Sequence, residues 1–418
     1  MKVTFRRTTA LFIISILVMV SCSKKTTMNA IDYSDYYTSN GNFAKFEYNF
    51  FHPDSIHTSL MCRLDNMGLK YKLNKTGRNY AANYTITVKI AKSISRKEVI
   101  FSESIDLSDS LNFLRKTQLN HEFNIPIHFN ETLFCIVELV DQNHKRTYSK
   151  QDMIYPYQKD GPNDIQFYDD ADELILKKNL SLGDECFVKL NHQTDSIQVA
   201  IFNLNDSIPL PPFITDITPE NLKKSARINW KVEDSISSDF ALNKIGVYYI
   251  SSTFNKNSGS FIRVFDQQFP KPASSTEMRT ALRYITDNSE YGALLKQSDA
   301  KYAVDSFWME VAKGNDDLAL NLIKQYYGRM ERANSLFSVS SKGWKSDRGM
   351  IYMIYGHPDV IYINDRIEEW WYGEPYSLYA EQFQFSRISL LPGLDEYHLE
   401  RDPTLKNNWF RHVEMLRK

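Results

Sequence analysis

Glycine is scarce in this chain, 15 of 418 residues, and neither a Walker A nor a Gly-x-Gly-x-x-Gly pattern occurs, so the glycine-loop nucleotide folds have no footing. Gly-x-Ser-x-Gly and His-Glu-x-x-His are missing too, which removes the common signatures of serine hydrolases and zinc peptidases. Neither sign of charge is in excess: 50 Lys and Arg face 51 Asp and Glu, for a formal net charge of -1. That balance gives no electrostatic footprint for nucleic acid. The four cysteines, Cys22, Cys62, Cys135 and Cys186, lack the close pairs of a structural zinc site. Beyond residue 22 no apolar run approaches the roughly 20 residues of a membrane-spanning helix. Aromatic side chains are plentiful, 25 Tyr and 25 Phe, and favour strand-rich domains. At roughly 100 to 200 residues per domain, the length suits two to four of them.

The chain opens with Lys2, Arg6 and Arg7, then a run over residues 10–20 that is apolar except for Ser15 and ends at Ser21-Cys22. Basic residues ahead of a short apolar core mark an export signal. Eleven helical residues reach only about 16 Å, roughly half the hydrocarbon core, so the stretch reads as a leader and not a permanent span. Met19-Val20-Ser21-Cys22 resembles the lipobox of bacterial lipoproteins, with Met19 where Leu is usual. The resemblance implies cleavage before Cys22 and lipidation of its thiol, leaving 1–21 as leader and 22–40 as a polar tether. Multiple acyl chains give durable attachment, so all that follows is expected on one side of one membrane. The tether lacks the acidic cluster that resembles a surface-export signal in Bacteroidota lipoproteins, which points to the periplasmic face of the outer membrane. Three cysteines in an oxidising compartment permit at most one intramolecular bridge. Cys62 and Cys135 each lie on the apolar face of an alternating segment, and both readings, buried free thiols and a Cys62–Cys135 bridge, stand open.

Over 41–158 the polarity alternates with period two. Tyr84, Ile86, Val88 and Ile90 alternate with Thr85, Thr87 and Lys89, and Phe123, Ile125 and Ile127 with Asn124, Pro126 and His128. Breaks at 74–77, 106–110 and 141–143 carry turn residues, and Pro126 belongs on an edge strand or a bulge. About seven strands at this spacing predict an antiparallel sandwich. After Gly161-Pro162 the pattern restarts with Ile197, Val199 and Ile201, predicting a second sandwich over 163–270 whose Pro209-to-Pro212 loop bridges edges or sheets. Asp-Ser-aliphatic triplets recur at Ser55, Ser110, Ser196, Ser207 and Ser235. They resemble the O-glycosylation acceptors of Bacteroidota, and each is also ordinary turn chemistry.

Past Pro272 the period becomes helical. Ser275 or Thr276 caps a helix with Met278, Ala281, Leu282 and Ile285 on one side, and Ala300, Val304, Phe307 and Val311 line another. Asn315 caps a third, running from Asp316 to about Phe337, with Ala319, Leu322, Ile323, Tyr326, Met330, Ala333 and Phe337 in one stripe that reads as core. Then comes Gly343-Trp344-Lys345-Ser346-Asp347-Arg348-Gly349, a hydrophobic stretch, and Gly356-His357-Pro358-Asp359. The motif reads as a loop entering a strand, with Trp344 as buried anchor, Ser346 and Asp347 as capping groups and Arg348 as a five-donor fork tying Asp347, Asp359 or carbonyls together. Strands at 360–362, 369–372 and 382–385 make a small sheet, and Asp402-Pro403 starts a terminal helix that sets Leu405, Trp409, Val413 and Leu416 on it.

These residues resemble the GWxTD domain family of Bacteroidota and related bacteria, with Ser346 where the family has Thr. The resemblance covers 276–418, including Ala303 to Trp308 and Trp370-Trp371-Tyr372, and it carries over no catalytic residues. The fold class expected is mainly β with an α+β C-terminal part: two tandem antiparallel sandwiches, then helices over 276–338 packed on the sheet and terminal helix of 339–418. Residues 343–418 hold nine Lys and Arg against twelve Asp and Glu, no platform for nucleic acid. The function expected is that of a lipid-anchored structural or protein-interaction module with an envelope protein partner, without cofactor or metal. The alternative is a hydrolase or glycan-handling protein that uses Asp347, Arg348, His357 and Asp359 for acid–base work.

Overall fold

The computed structural model describes Asp32, Ser34 and residues 45–73, 77, 79–93, 98–110, 118–126, 129–158, 161–216, 222–252 and 258–418. The leader, Cys22 and most of the tether lie outside the described residues. Strands β1 (Glu47–Phe51), β2 (Thr58–Asp65), β3 (Lys72–Leu73), β4 (Tyr80–Ala91), β5 (Val99–Ser110), β6 (Gln118–Ile125), β7 (Leu133–Asp141) and β8 (Arg146–Ile154) build the first lobe. One antiparallel sheet has the order β1-β2-β6; the other runs β3-β4-β7-β8, with β5 also on β4. Leu60, Cys62 and Leu64 of β2 and Phe123 of β6 meet Ile86, Val88 and Ile90 of β4 and Cys135, Val137 and Leu139 of β7 in one dry core. This is the two-layer sandwich that alternation dictates. Among the described residues β6 pairs only with β2, and Pro126 follows its last residue, where no ladder hydrogen bond is asked of it.

Residues 106–110, expected as a turn, instead continue β5 to its end. Thr85 Oγ1 donates to Asp106 Oδ1 at 2.7 Å across the outer face of the pair, so the polar residues there are cross-strand partners. Cys62, Cys135 and Cys186 are free and buried; burial pushes all three thiols up, away from the thiolate that nucleophilic chemistry needs.

The second lobe contains β9 (Ile165–Asp169), β10 (Asn179–Ser181), β11 (Glu185–Leu190), β12 (Ser196–Phe202), β13 (Lys224–Glu233), β14 (Ile236–Ser237), β15 (Phe240–Ala241), β16 (Gly246–Ser251) and β17 (Ser260–Phe265). Its layers are one continuous sheet in the order β10-β17-β16-β12-β13-β14-β11-β15, with β9 on β11 and one parallel pair, β10 with β17. Long β13 pairs with β12 along most of its length and with β14 at its end, so the sheet turns over there. Phe167 and Val188 from one side thus share a core with Ile197, Val199, Tyr248 and Ile262 from the other.

The C-terminal part starts with helices α1 (Ser275–Ala281), α2 (Asn288–Lys296), α3 (Ala300–Val311) and α4 (Asp316–Phe337). Ser274, one residue before the expected cap, accepts from Glu277 N; Asn315 accepts from Leu318 N and starts α4 where the sequence placed it. After α5 (Asp347–Tyr355) the strands β18 (Val360–Ile363), β19 (Ile367–Tyr372), β20 (Glu381–Leu391) and β21 (Leu394–Leu399) form an antiparallel meander, closed by α6 (Lys406–Leu416). The α4 stripe, Trp308, α5, the inner face of the sheet and Trp409 share one core. No helix among the described residues is long and apolar enough to cross a membrane.

The proline-bearing segment does not bridge the edges of its own sheet. Arg401 donates to Leu210 O at 3.2 Å and Asp402 N to Pro212 O at 3.1 Å, which straps it onto the C-terminal part. A second seam joins Val247, Tyr249 and Phe261 of the second lobe to Val339, Leu391 and Leu394.

Candidate functional site

The heptapeptide at 343–349 is a buried crossing point. Its first residues make a short 3-10 turn, Gly343–Lys345, pressed between α4 and α5. Trp344 is fully buried and every polar group of it has a partner. Its indole Nε1 donates to Glu277 Oε1 at 2.9 Å, its backbone N to Asn334 Oδ1 at 3.2 Å, and its carbonyl accepts from Tyr284 Oη at 2.9 Å. Asn334, itself fully buried on α4, also donates to Pro270 O at 2.8 Å. Glu277 accepts from Lys342 Nζ at 2.9 Å as well, and Lys342 reaches Asp266 at 2.7 Å. A tryptophan buried beside satisfied polar groups sets geometry; it offers no free surface.

The stretch after the motif is a correction. Residues 347–355 form helix α5 where a strand was expected. Ser346 Oγ accepts from Gly349 N at 3.0 Å, the bond of a helix N-cap, and donates to Gly343 O at 2.7 Å. Every residue from Arg348 to Tyr355 is buried, so the run shows no amphipathic period and reads as strand or helix alike. Arg329 finishes the helix by donating to Met353 O and Ile354 O at 3.0 and 2.8 Å, and Gly356 leaves it at φ 81°.

The four residues proposed for acid–base chemistry do not converge. Asp347 takes two bonds from Arg401, at 3.0 and 2.6 Å, and one from Leu399 N at 2.8 Å. Arg348 donates to Glu368 at 2.9 Å and stacks 4.0 Å from the Tyr397 ring centroid. It reaches neither Asp347 nor Asp359, the two acids that the sequence suggested beside loop carbonyls. His357 donates through Nε2 to Ser34 O at 2.9 Å. Asp359 accepts from Gly373 N at 2.6 Å, and Pro358 is buried between these last two. Among the described residues no group of three or more His, Cys, Asp and Glu is placed to hold a metal ion. Glu277, Asn334, Glu368 and Arg401 went unseen in the sequence. Only Glu277 had a local signal, standing three residues after the Ser274 cap.

The Asp359–Gly373 bond has a further effect, because Gly373 opens the loop between β19 and β20. That loop presents Tyr376, Leu378 and Tyr379 at 73, 99 and 93% exposure. Tyr376 lies 4.9 Å from Trp371, ring to ring, and bonds from Ser377 N to Glu374 O and Ala380 N to Ser377 O shape the tip. Of the Asp-Ser serines, Ser55, Ser110, Ser196 and Ser207 are exposed, while Ser235 Oγ donates to His192 O at 2.9 Å.

A GWxTD domain is found at residues 246–418. The match begins 30 residues before the stretch that carried the resemblance and takes in β16 and β17, whose Phe261 belongs to the seam with Val339. No curated protein matches the chain. Among solved structures, a transglutaminase of red sea bream aligns at 9% identity and a TM-score of 0.19, over 53% of this chain and 31% of that enzyme. The chain therefore spans about a third of that enzyme's length, and the likeness is too low to carry a fold or a function.

Proposed function

We propose that this protein is a lipid-anchored envelope lipoprotein, attached through Cys22 at the periplasmic face of the outer membrane, and that its GWxTD domain is a protein-interaction module without a reaction of its own. The observation that supports this reading is the loop carrying Tyr376, Leu378 and Tyr379. Large apolar side chains so fully exposed on one tip are the usual mark of a contact surface. The ionisable residues of the motif, by contrast, are taken up in framework pairs. Four exposed Asp-Ser serines are the acceptors to examine for glycosylation, by comparing intact mass with that of peptide plus lipid.

The test is crosslinking in intact cells, followed by mass spectrometry, of the natural protein and a Leu378→Glu, Tyr379→Ser variant. The reading requires a reproducible envelope partner that the variant loses at unchanged melting temperature. Equal capture by both proteins would reject the loop as the contact. Replacing Cys22 with Ala should release the chain from the membrane fraction; persistent fatty-acid labelling would reject the anchor.

A further inference from the structure

A cleft of about 590 Å³ opens where the two β lobes and the C-terminal part meet, within the size range of small-molecule sites. Its walls come from β1 and β8, from β10 and β17, from α4, and from β20 and β21. Seven Lys and Arg line it against four acids. Three of the cations have carboxylates to face: Lys150 has Asp152 at 3.9 Å, Arg348 has Glu368 at 2.9 Å, and Arg387 has Asp395 at 2.7 Å.

Lys178 and Arg263 are different. Arg263 N donates to Lys178 O at 2.8 Å, which fixes the two cations side by side at the parallel edge of the second lobe. Both lie against Phe261, Lys178 Nζ at 4.8 Å and the Arg263 guanidinium at 5.6 Å from its ring centroid. Their other contacts are neutral. Lys178 reaches Ser260 Oγ at 3.4 Å; Arg263 donates to Ser338 O, and its Nε is buried without a partner. Neither pairs with a carboxylate among the described residues. Both side chains are partly accessible, through the cleft, yet sit deep among protein atoms. Burial pushes Lys178 down to about 8 and Arg263 to about 10, with Asp152 pulling the other way on each. Two adjacent, poorly solvated like charges are costly unless a counter-charge joins them.

We propose that this cleft binds a small molecule bearing an oxyanion, a phosphate or a carboxylate, whose charge is received by Lys178 and Arg263, braced on Phe261, while the aromatic walls at Tyr48, Tyr155 and Tyr397 hold its body. The proposal goes beyond the partner-binding loop, which lies outside the cleft lining, and stands or falls separately from it.

The experiment is isothermal titration of the full-length protein with inorganic phosphate and, separately, with glucuronate, at constant ionic strength made up with chloride. At least one probe should bind saturably at one site, and the tighter one tells a phosphate ligand from a carboxylate ligand. Lys178→Met should weaken that binding about tenfold or more, as loss of a charge-assisted bond does. Arg263→Gln should act alike, and Lys324→Gln, outside the cleft, should change nothing. Lys178→Met keeps the test decisive if the Arg263 variant, losing its Ser338 contact, does not fold. The melting temperature of Lys178→Met without anion should hold or rise, whereas a merely structural lysine would lower it and leave binding intact. Failure of both probes to saturate, or equal binding by Lys178→Met and the natural protein, overturns the proposal.

Discussion

Gly349 sits directly on the Gly343 carbonyl: a Cβ added at Gly349 would stand 1.8 Å from that oxygen, and one added at Gly343 would stand 2.0 Å from Ala333 O. Neither position requires left-handed backbone angles, so the two glycines are there for close approach, holding α4, the turn and α5 in contact. Gly343→Ala and Gly349→Ala should each destabilise by about 1–3 kcal/mol or more, as overpacking does where backbone must move. Urea denaturation of the single variants checks this, and unchanged midpoints would contradict the packing.

Truncating Trp344 to Ala should cost about 3–5 kcal/mol, a large share of the roughly 5–15 kcal/mol of a folded domain. Glu277→Gln keeps an acceptor for the indole but loses the charge that faces Lys342, so a smaller loss is expected. Calorimetric melts should therefore rank Trp344→Ala below Glu277→Gln.

Ser346→Ala removes the N-cap of α5 and should cost about 0.5–2 kcal/mol, whereas Ser346→Thr retains the capping oxygen and should lose far less. The contrast is read from denaturation midpoints of the two variants, and equal losses would deny the hydroxyl its role.

Arg348→Lys should destabilise although charge is conserved. An ammonium does not stack as a planar guanidinium does on Tyr397, and its one point charge addresses Glu368 differently. Arg348→Met should be worse, by about 3–5 kcal/mol, because it leaves Glu368 buried without its cation. Thermal melts at one pH settle the order.

His398 and Glu396 supply a pH dependence. A hydrogen bond to Glu396 holds His398 above its ordinary 6.5. Burial would raise Glu396, but bonds from His398 and Ser340 hold it below its ordinary 4.5. The histidine's contribution is fully present below about 6.5 and disappears as pH rises through its higher folded value; the glutamate's is present above about 4.5 and disappears as pH falls through its lower one. Both operate together between these limits. His398→Gln should therefore lose stability most in mild acid and converge on the natural protein in alkali, which melts from pH 5 to 9 will show.

Local rules were legible where each residue's partner is near in sequence or its environment is one-sided. Asn315 announced α4 and the stripe from Ala319 to Phe337 gave its buried face; Ile86, Val88 and Ile90 announced a half-buried strand. The run from Met350 to Tyr355 was not legible, since burial all round erases the period that tells helix from strand. The pairings of Asp347 with Arg401, Arg348 with Glu368 and Trp344 with Asn334 and Glu277 are tertiary, and nothing in the spacing of those residues foretells them. The same holds for the lower edge of the GWxTD domain. A fragment cut at residue 276 would strip Val247, Tyr249 and Phe261 from Val339, Leu391 and Leu394 and take Asp266 from Lys342.

The contacts made by Asp32 and Ser34 reach the far end of the chain. Ile361 N donates to Asp32 at 3.0 Å, and His357 to Ser34 O. β18 is the outer strand of its sheet, so the bond from Ile361 occupies a backbone donor on an edge that would otherwise be open. Asp32→Ala would return that donor to the edge, where an extended strand of another molecule could claim it.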